Sequence, residues 1–271
     1  MKLILKSSPS CRINADLLTP EYCSTISDKQ LAKKTLLSSD GDIAIGDLFK
    51  IEKDASKSLL ISGDCQQFDY IGAKVSKDQI KVEGSVGDYA AATMSGGQLE
   101  ITGNVGHFTA CAMSGGTVIV AGNAGDATGG ASIGAVQGMS GGTVLVLSDA
   151  GDRTANLMRR GIVVVRGNNG DYAAADMKAG NLVVLKKNGS HCAYGMRRGT
   201  VLLGEPSNSE NLGDTFISQP SNYNMDFLIL LYKHITLLSP TLQSLPRKKL
   251  IKRYIGDLAV GGKGEILVPY S

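Results

Sequence analysis

The amino-acid sequence predicts an all-β protein whose core is a parallel β-helix, because one short unit repeats along the chain. Methionines set the register of the repeat, at spacings of 19, 26, 19, 19 and 19 residues: Met94, Met113, Met139, Met158, Met177 and Met196. Three residues after each of them stands a glycine, and the fifth and seventh residues after each are apolar. A 19-residue unit is too short for a strand–helix–strand crossover, which needs about 30 residues. It fits one coil of a β-helix, in which each unit stacks on its neighbour.

The chain is expected to divide into three segments around this repeat. Residues 1–57 form an N-terminal cap, with strand-like runs at 43–45 and 48–51 and a helix-like piece at 27–37. Residues 58–205 form the repeat domain, of about six to seven coils. The one interval of 26 residues indicates a seven-residue insertion.

Residues 206–271 are expected to form a helical tail, because the periodicity stops there. Asn208, Ser209 and Asn211 mark a linker. Residues 225–238 predict a helix that is apolar over most of its circumference, and residues 247–254 a second, basic helix. A helix this apolar must be buried against the end of the β-helix or against another subunit.

Composition excludes several classes of protein. The 34 glycines with only 7 prolines argue against collagen, and the 42% apolar content argues against a disordered chain. A net charge of +3 and 5% aromatic residues do not favour nucleic-acid binding. Five scattered cysteines favour a reducing compartment over a disulfide framework or a zinc site. The sequence has no segment typical of a secretory signal or a membrane span, so we expect a cytoplasmic protein.

An aspartate follows the upstream glycine of the repeat in four coils: Asp88, Asp126, Asp152 and Asp171. Stacked carboxylates suit acid–base chemistry or a metal site. His107 and Ser190 take the same place in two other coils, which a metal array would not tolerate. We therefore interpret the aspartates as turn residues that cap local backbone N–H groups.

Histidines and cysteines give no catalytic or metal-binding cluster in the sequence. His107, His191 and His234 lie on different elements, so a joint metal site is not expected. Cys111 and Cys192 stand where other coils have alanine, which indicates small interior side chains rather than nucleophiles. We expect no catalytic residue and no metal ligand in this chain.

A column of cations is predicted on the last three coils. The residue after the register methionine is Arg159, Lys178 and Arg197 there, and Arg160 and Arg198 add to the same edge. Coils stack about 4.8 Å apart, so the column spans about 10 Å, over which like charges repel. These five residues are candidates for an anion-binding strip; a solvated charged edge without a ligand is the alternative.

The central residue of the repeat strand is also apolar in five coils: Ile119, Leu145, Val164, Val183 and Leu202. A strand that is wet on one face alternates between apolar and polar residues, and this strand does not. Its outer face is therefore expected to be covered, by the helix at 225–238 or by another protein. The five positions are candidates for a partner interface.

The repeated units G-N-x-G-D-x-x-A-x-x-M-x-G-G-x-[LVI]-x-V and the sequence from Gly256 to Leu267 resemble the C subunit of formylmethanofuran dehydrogenase, over residues 58–268. The Met-Arg-Arg-Gly corners at 158–161 and 196–199 are similar to the bacterial branch, the C subunit of the formyltransferase/hydrolase complex of methylotrophic bacteria. This resemblance implies that the β-helix is right-handed. It also implies a scaffold role, with no catalytic residue carried over onto this chain.

In the bacterial complex a formyl group passes from tetrahydromethanopterin to a methanofuran-type carrier and is released as formate, a step of formaldehyde oxidation. The resemblance attributes this chemistry to the other chains of the complex: an amidohydrolase-like chain with zinc, a molybdopterin-enzyme-like chain and a formyltransferase. The cation strip would then meet an acidic partner surface or the polyglutamyl tail of the carrier.

Three other functions remain open from the sequence. The chain could belong to a true molybdenum or tungsten formylmethanofuran dehydrogenase. The glycine repeat also occurs in the β-helix domain of glutamate synthase, although this chain carries the formylmethanofuran-type tail. An enzyme acting on polysaccharides would need aromatic platforms for the sugar rings. The chain has no tryptophan, and the aromatic pair that we assign to one repeat position is Tyr89 and Tyr172.

Overall fold

A computed structural model describes residues 1–53, 58–206, 212–219, 226–238 and 250–270. The regular secondary structure of these residues is mostly β-strand, with four α-helices: α1 (Pro20–Thr25), α2 (Asp28–Ala32), α3 (Ile45–Leu48) and α4 (Asp226–Leu238). The strands, in chain order, are β1 (Lys2–Leu5), β2 (Ile13–Asn14), β3 (Thr35–Leu36), β4 (Ile43–Ala44), β5 (Phe49–Glu52), β6 (Leu59–Ser62), β7 (Phe68–Asp69), β8 (Gln79–Glu83), β9 (Ser95–Ile101), β10 (Gly115–Val120), β11 (Ser140–Val146), β12 (Arg160–Val165), β13 (Asn181–Val184), β14 (Thr200–Leu203), β15 (Ile217–Gln219), β16 (Leu250–Gly256) and β17 (Gly264–Tyr270).

One large, mostly parallel sheet holds thirteen of these strands, in the order β15-β16-β17-β14-β13-β12-β11-β10-β9-β8-β6-β1-β5. The pairing is parallel from β17 through β14 to β1, and antiparallel between β1 and β5 and among the last three strands. In the middle of the sheet the register steps by one repeat, so that Val144 pairs with Val163 and Leu145 with Val164. The 19-residue period therefore sets the strand register.

A second parallel ladder runs beside the large sheet. It consists of isolated bridges that join equivalent residues of successive repeats: Val105 with Ala124, Ala124 with Ala150, Ala150 with Asn169, and Asn169 with Asn188. Each repeat thus contributes a strand to the large sheet and a bridge to this ladder. The six register methionines are fully buried, at 0% exposure, in the continuous apolar core of the repeats.

The N-terminal segment joins the large sheet directly. Strand β1 pairs in parallel with β6 and antiparallel with β5, so residues 2–5 extend the sheet beyond the repeats. Within the predicted helix-like piece 27–37, only the five residues of α2 are α-helical. Helix α2 begins with a capping box between Ser27 and Gln30, and residues 35–36 form β3, which pairs with β4.

The C-terminal tail contains one α-helix in its described part, and the second predicted helix is wrong. Helix α4 matches the predicted helix at 225–238, although residue 225 lies outside the described residues, as do the predicted linker residues Asn208, Ser209 and Asn211. Residues 250–254 of the predicted basic helix lie in strand β16 (Leu250–Gly256), and residues 247–249 lie outside the described part.

Pairing with distant strands explains why this segment is extended. Strand β17 pairs in parallel with β14 and leaves its other edge free for β16, which lies antiparallel to it. On β16, Ile251 packs with the apolar residues under α4, while Tyr254 packs on the core of the repeats. Alternation between two apolar environments suits a strand, and it overrides the local helical pattern.

No helix within the described ranges is long and apolar enough to span a bilayer.

Candidate functional site

The corner aspartates form a ladder of side-chain-to-backbone hydrogen bonds along the stack. The Oδ1 atom of Asp152 accepts a hydrogen bond from the backbone N–H of Asp171 (2.8 Å), and Oδ1 of Asp171 accepts one from Ser190 (2.7 Å). Asp126 and Asp88 accept in the same way from the next coil. Each carboxylate is engaged by the backbone of the next coil, 19 or 26 residues along the chain, rather than by the local N–H groups that the sequence predicts. The aspartates therefore serve the fold by tying successive corners together.

His107 takes the place of an aspartate in this ladder and works in the same way. Its Nδ1 atom accepts a hydrogen bond from the backbone N–H of Asp126 (3.0 Å). The other two histidines lie elsewhere: His191 stacks on Tyr172, and His234 of α4 lies 3.3 Å from the hydroxyl of Thr143. The structure does not bring the three histidines together.

The described residues contain no group of three or more histidine, cysteine or acidic side chains arranged to hold a metal ion. All five cysteines are buried and none is in a disulfide. Burial raises the pKa of Cys111 to about 11 and that of Cys192 to about 12. Both thiols are therefore protonated at neutral pH and unsuited to act as nucleophiles, in agreement with the predicted role as interior side chains.

A column of stacked rings is present that the sequence reasoning recognises only in part. Tyr70 stacks on Tyr89 with centroids 4.8 Å apart, and Tyr89 stacks on Phe108 at 5.0 Å. Tyr172 and His191 form a second stack at 4.7 Å. The signal lies in the residue that follows the corner aspartate or its replacement. Because the rings stack face to face, the column does not offer the open aromatic faces that a sugar-binding site requires.

The predicted cations lie on successive layers and are exposed. The backbone N–H of Arg159 bonds to Met139, that of Lys178 to Met158 and that of Arg197 to Met177, each at 2.8 to 2.9 Å. The C-terminal tail adds a fourth layer that the sequence reasoning misses, because the N–H of Lys263 bonds to the carbonyl of Arg197 at 2.8 Å. We call the following residues the cation strip: Arg159, Arg160, Lys178, Arg197, Arg198 and Lys263. In the part of the chain that the structure describes, none of these six pairs with a carboxylate.

The seven-residue insertion lies within a loop, residues 130–138, which we call the insertion loop; it lies against the cation strip, and its residues 133–136 are exposed. The Nζ atom of Lys178 donates a hydrogen bond to the carbonyl oxygen of Val136 (2.8 Å), and Nη1 of Arg159 donates one to Oε1 of Gln137 (3.3 Å). At its base, the N–H of Ala131 bonds to Oδ1 of Asn156 (3.1 Å). The insertion loop nevertheless leaves two aliphatic side chains in solvent, Ile133 at 83% exposure and Val136 at 78%.

The second set of candidates, the central strand residues, lies beneath α4. Four of them are buried and pack in one cluster with the inner face of the helix and with Leu267: Leu145, Val164, Val183 and Leu202. Ile119 is partly buried at the edge of this cluster. The helix contributes Leu228, Leu231, Tyr232 and Ile235. Coverage of these four residues thus comes from this chain.

Comparisons with known proteins fit this architecture. The family model for the GXGXG motif matches residues 51–217, more than half of the chain. A curated relative, the C subunit of the formyltransferase/hydrolase complex Fhc of Methylorubrum extorquens, is 37% identical over 76 residues, which are 28% of this chain and 29% of the relative. The aligned part thus spans less than a third of that relative.

A solved structure extends the similarity to the whole chain. A chain in the X-ray structure of the formyltransferase/hydrolase complex FhcABCD from Methylorubrum extorquens, in complex with methylofuran, superposes with a TM-score of 0.90 and 34% identity. The match covers 100% of both chains. This chain therefore belongs to the GXGXG motif family, as a relative of the C subunit of the formyltransferase/hydrolase complex.

Proposed function

We propose that this chain is the C subunit of a formyltransferase/hydrolase complex and serves there as a scaffold without an active site of its own. The reaction would be the tetrahydromethanopterin-linked oxidation of formaldehyde to formate in the cytoplasm. The observation that carries the proposal is the match to a chain of the FhcABCD structure over the full length of both chains, at a TM-score of 0.90.

The state of the reactive side chains supports a scaffold role. Each corner carboxylate accepts a hydrogen bond from the backbone of the next coil, as Oδ1 of Asp152 does from the N–H of Asp171. Burial keeps the thiols of Cys111 and Cys192 protonated by raising their pKa. A general base or nucleophile needs a free, suitably ionised group within reach of a substrate, and these groups serve the fold instead.

We also infer that the repeats coil as a right-handed β-helix of about six to seven turns. Two parallel ladders that both step by one repeat support the coil, one in the large sheet and one in the isolated bridges from Val105 to Asn188; the step is 19 residues, and 26 where the insertion lies between the paired residues. The proposed organisation is a cap at 1–57, the β-helix at 58–205 and a tail at 206–271. Strands β1 and β17 join the cap and the tail to the same sheet.

The proposed partners are the other chains of such a complex: an amidohydrolase-like chain with zinc, a molybdopterin-enzyme-like chain and a formyltransferase. The solved relative contains methylofuran, so a methanofuran-type carrier is the proposed cofactor of the assembly, with none held by this chain alone. We propose the cation strip as the anion-binding site of the chain, for an acidic partner surface or for the polyglutamyl tail of the carrier.

Affinity purification of the tagged chain from its own host tests the proposal. We expect a formyltransferase and an amidohydrolase to co-purify, together with a methanofuran-type carrier detectable by mass spectrometry. An untagged strain serves as the control. Recovery of a molybdopterin or tungstopterin would assign the chain to a true dehydrogenase instead. Recovery of a glutaminase domain, or of the chain alone, would contradict the proposal.

A further inference from the structure

We propose that the insertion loop and the cation strip together form a docking surface for a protein partner whose complementary patch is an apolar pocket rimmed by carboxylates. The inference rests on the proposed function only in that this chain assembles with other proteins. The inference goes beyond that function by locating the contact on this chain and by stating the chemistry of the partner's surface.

The insertion loop is built to present apolar side chains. Ile133 and Val136 are 83% and 78% exposed, although most of the large aliphatic side chains of the repeats are buried. The other repeats pass from corner to methionine without such an insertion. Two exposed aliphatics on one short loop form an apolar protrusion that suits insertion into a pocket of a partner.

Hydrogen bonds hold the insertion loop in place before any partner arrives. Its base is fixed by the bond from Ala131 to Asn156 and by the backbone bond from Gly138 to Leu157 (3.0 Å). Its far side is fixed by the bond from Lys178 to the carbonyl of Val136. A loop that is already ordered loses little entropy on binding, which favours affinity.

The same bonds place the insertion loop directly on the cation strip. Lys178 and Arg159 contact the loop, while Arg197 and Lys263 continue the strip over the next two layers. From Arg159 to Lys263 the strip covers about 14 Å at the spacing of stacked strands. Two carboxylates lie near these corners: Asp176 forms no ion pair in the described part of the chain, and Asp257 is engaged by the backbone N–H groups of Gly195 and Ala259.

Charge complementarity identifies the occupant. A row of cations without paired carboxylates attracts an acidic surface and steers its approach. A simple polyanion would use the cations alone and has no contact to offer Ile133 and Val136. An acidic protein surface with an apolar pocket uses both, so we commit to a protein.

Two double variants with matched controls test the docking surface. Ile133→Ser with Val136→Ser removes the apolar protrusion, and Leu37→Ser, at an aliphatic residue 64% exposed in the N-terminal segment, is its control. Arg197→Glu with Lys263→Glu reverses the charge of two of the six cations, both of which lie away from the insertion loop. Lys29→Glu with Lys33→Glu, two exposed lysines at α2, is the charge control. The Kd of each full-length chain is measured by biolayer interferometry against the other chains of the complex, purified without this one.

We expect both double variants to weaken binding about tenfold or more, with unchanged thermal midpoints, while both controls stay within about twofold of the wild type. Equal binding by the loop variant would overturn the docking surface and leave the proposed function intact. Absence of binding by the wild type would overturn both. Poly-L-glutamate is the probe for a bare anion site: if the wild type binds it and only the charge variant loses the partner chains, the strip is an anion site and the docking proposal is wrong.

Discussion

Met139 places its Cε methyl group directly against Gly161 of the next coil, so closely that a Cβ on Gly161 would lie 2.7 Å from it. Gly161 also has a φ of +108°, a backbone conformation that side chains disfavour. The two residues are one repeat and three positions apart. A positive φ is common to all six corner glycines, and the contact with the methionine of the preceding coil is added at four of them: Gly142, Gly161, Gly180 and Gly199.

Replacing Gly161 with alanine should destabilise the protein by about 2–4 kcal/mol, from the strained φ together with overpacking against Met139 and against the carbonyl oxygen of Gly142, 2.9 Å from the added Cβ. Gly134→Ala is the matched control, because Gly134 also has a positive φ, +77°, but a Cβ there would meet nothing within 4 Å. The control should cost about 1 kcal/mol. Urea unfolding followed by circular dichroism measures both. Equal losses would show that the methionine contact does not constrain the corner.

The corner ladder predicts that Asp152→Asn is nearly neutral, while Asp152→Ala costs about 0.5–1.5 kcal/mol. Asparagine keeps the Oδ1 acceptor that the N–H of Asp171 uses at 2.8 Å, and alanine removes it. Urea midpoints of the two variants give the comparison. Added calcium should leave the thermal midpoint unchanged. If asparagine is as damaging as alanine, or if calcium stabilises the wild type, the aspartates bind a cation and the ladder interpretation is wrong.

The sequence predicts best what the repeat itself encodes. The 19-residue period gives the register of β11 on β12, and the apolar residue Val164 on the outward side correctly indicates a covered face. Both features depend on contacts between equivalent residues of adjacent repeats, and the repeat pattern shows which residues are equivalent. Coverage by α4 rather than by another protein depends on a long-range contact, and the sequence leaves both alternatives open.

The errors and omissions arise where distant parts of the chain meet. The local residues Lys252 and Arg253 suit a basic helix, whereas the free edge of β17 decides the extended conformation of β16. Lys263 escapes sequence-based assignment to the cation strip because the tail has no register methionine to align it. Phe108, by contrast, stands at the same repeat position as Tyr89, so its place in the ring stack is readable from the pattern.

Helix α4 should be separable from the sheet by one polar substitution on its inner face. Ile235 is fully buried in the cluster with Leu145 and Val164, so Ile235→Ser should loosen the helix and expose those side chains. Binding of an apolar fluorescent dye should rise severalfold. Leu237→Ser, at a residue 84% exposed on the same helix, is the control and should leave dye binding unchanged or lower. Similar dye binding by both variants would contradict coverage of the sheet by α4.

Asp257 should make attachment of the tail dependent on pH. Burial raises the pKa of this carboxyl group, but hydrogen bonds from Gly195, Ala259 and Thr215 outweigh burial and hold the pKa below its ordinary value. A pKa lower in the folded than in the unfolded state adds stability above the unfolded pKa, and this stability is lost as pH falls through the folded pKa. At pH 7 the urea midpoint of Asp257→Asn should therefore be lower than that of the wild type. The difference between the two midpoints should narrow below about pH 4.

Asp64→Asn, at an exposed residue, is the control, and its urea midpoint should equal that of the wild type at both pH values. A gap for Asp257→Asn that is the same at neutral and acidic pH would mean that the charge of Asp257 does not hold the tail.

Assembly of the complex with and without this chain tests the scaffold role most directly. The other chains of the complex are mixed alone or with the purified protein, and the mass of the products is measured by light scattering after size exclusion, together with formate release. We predict a single large, active complex only when this chain is present, and no formate release by the chain alone. An active complex of full mass assembled in its absence would contradict the scaffold role.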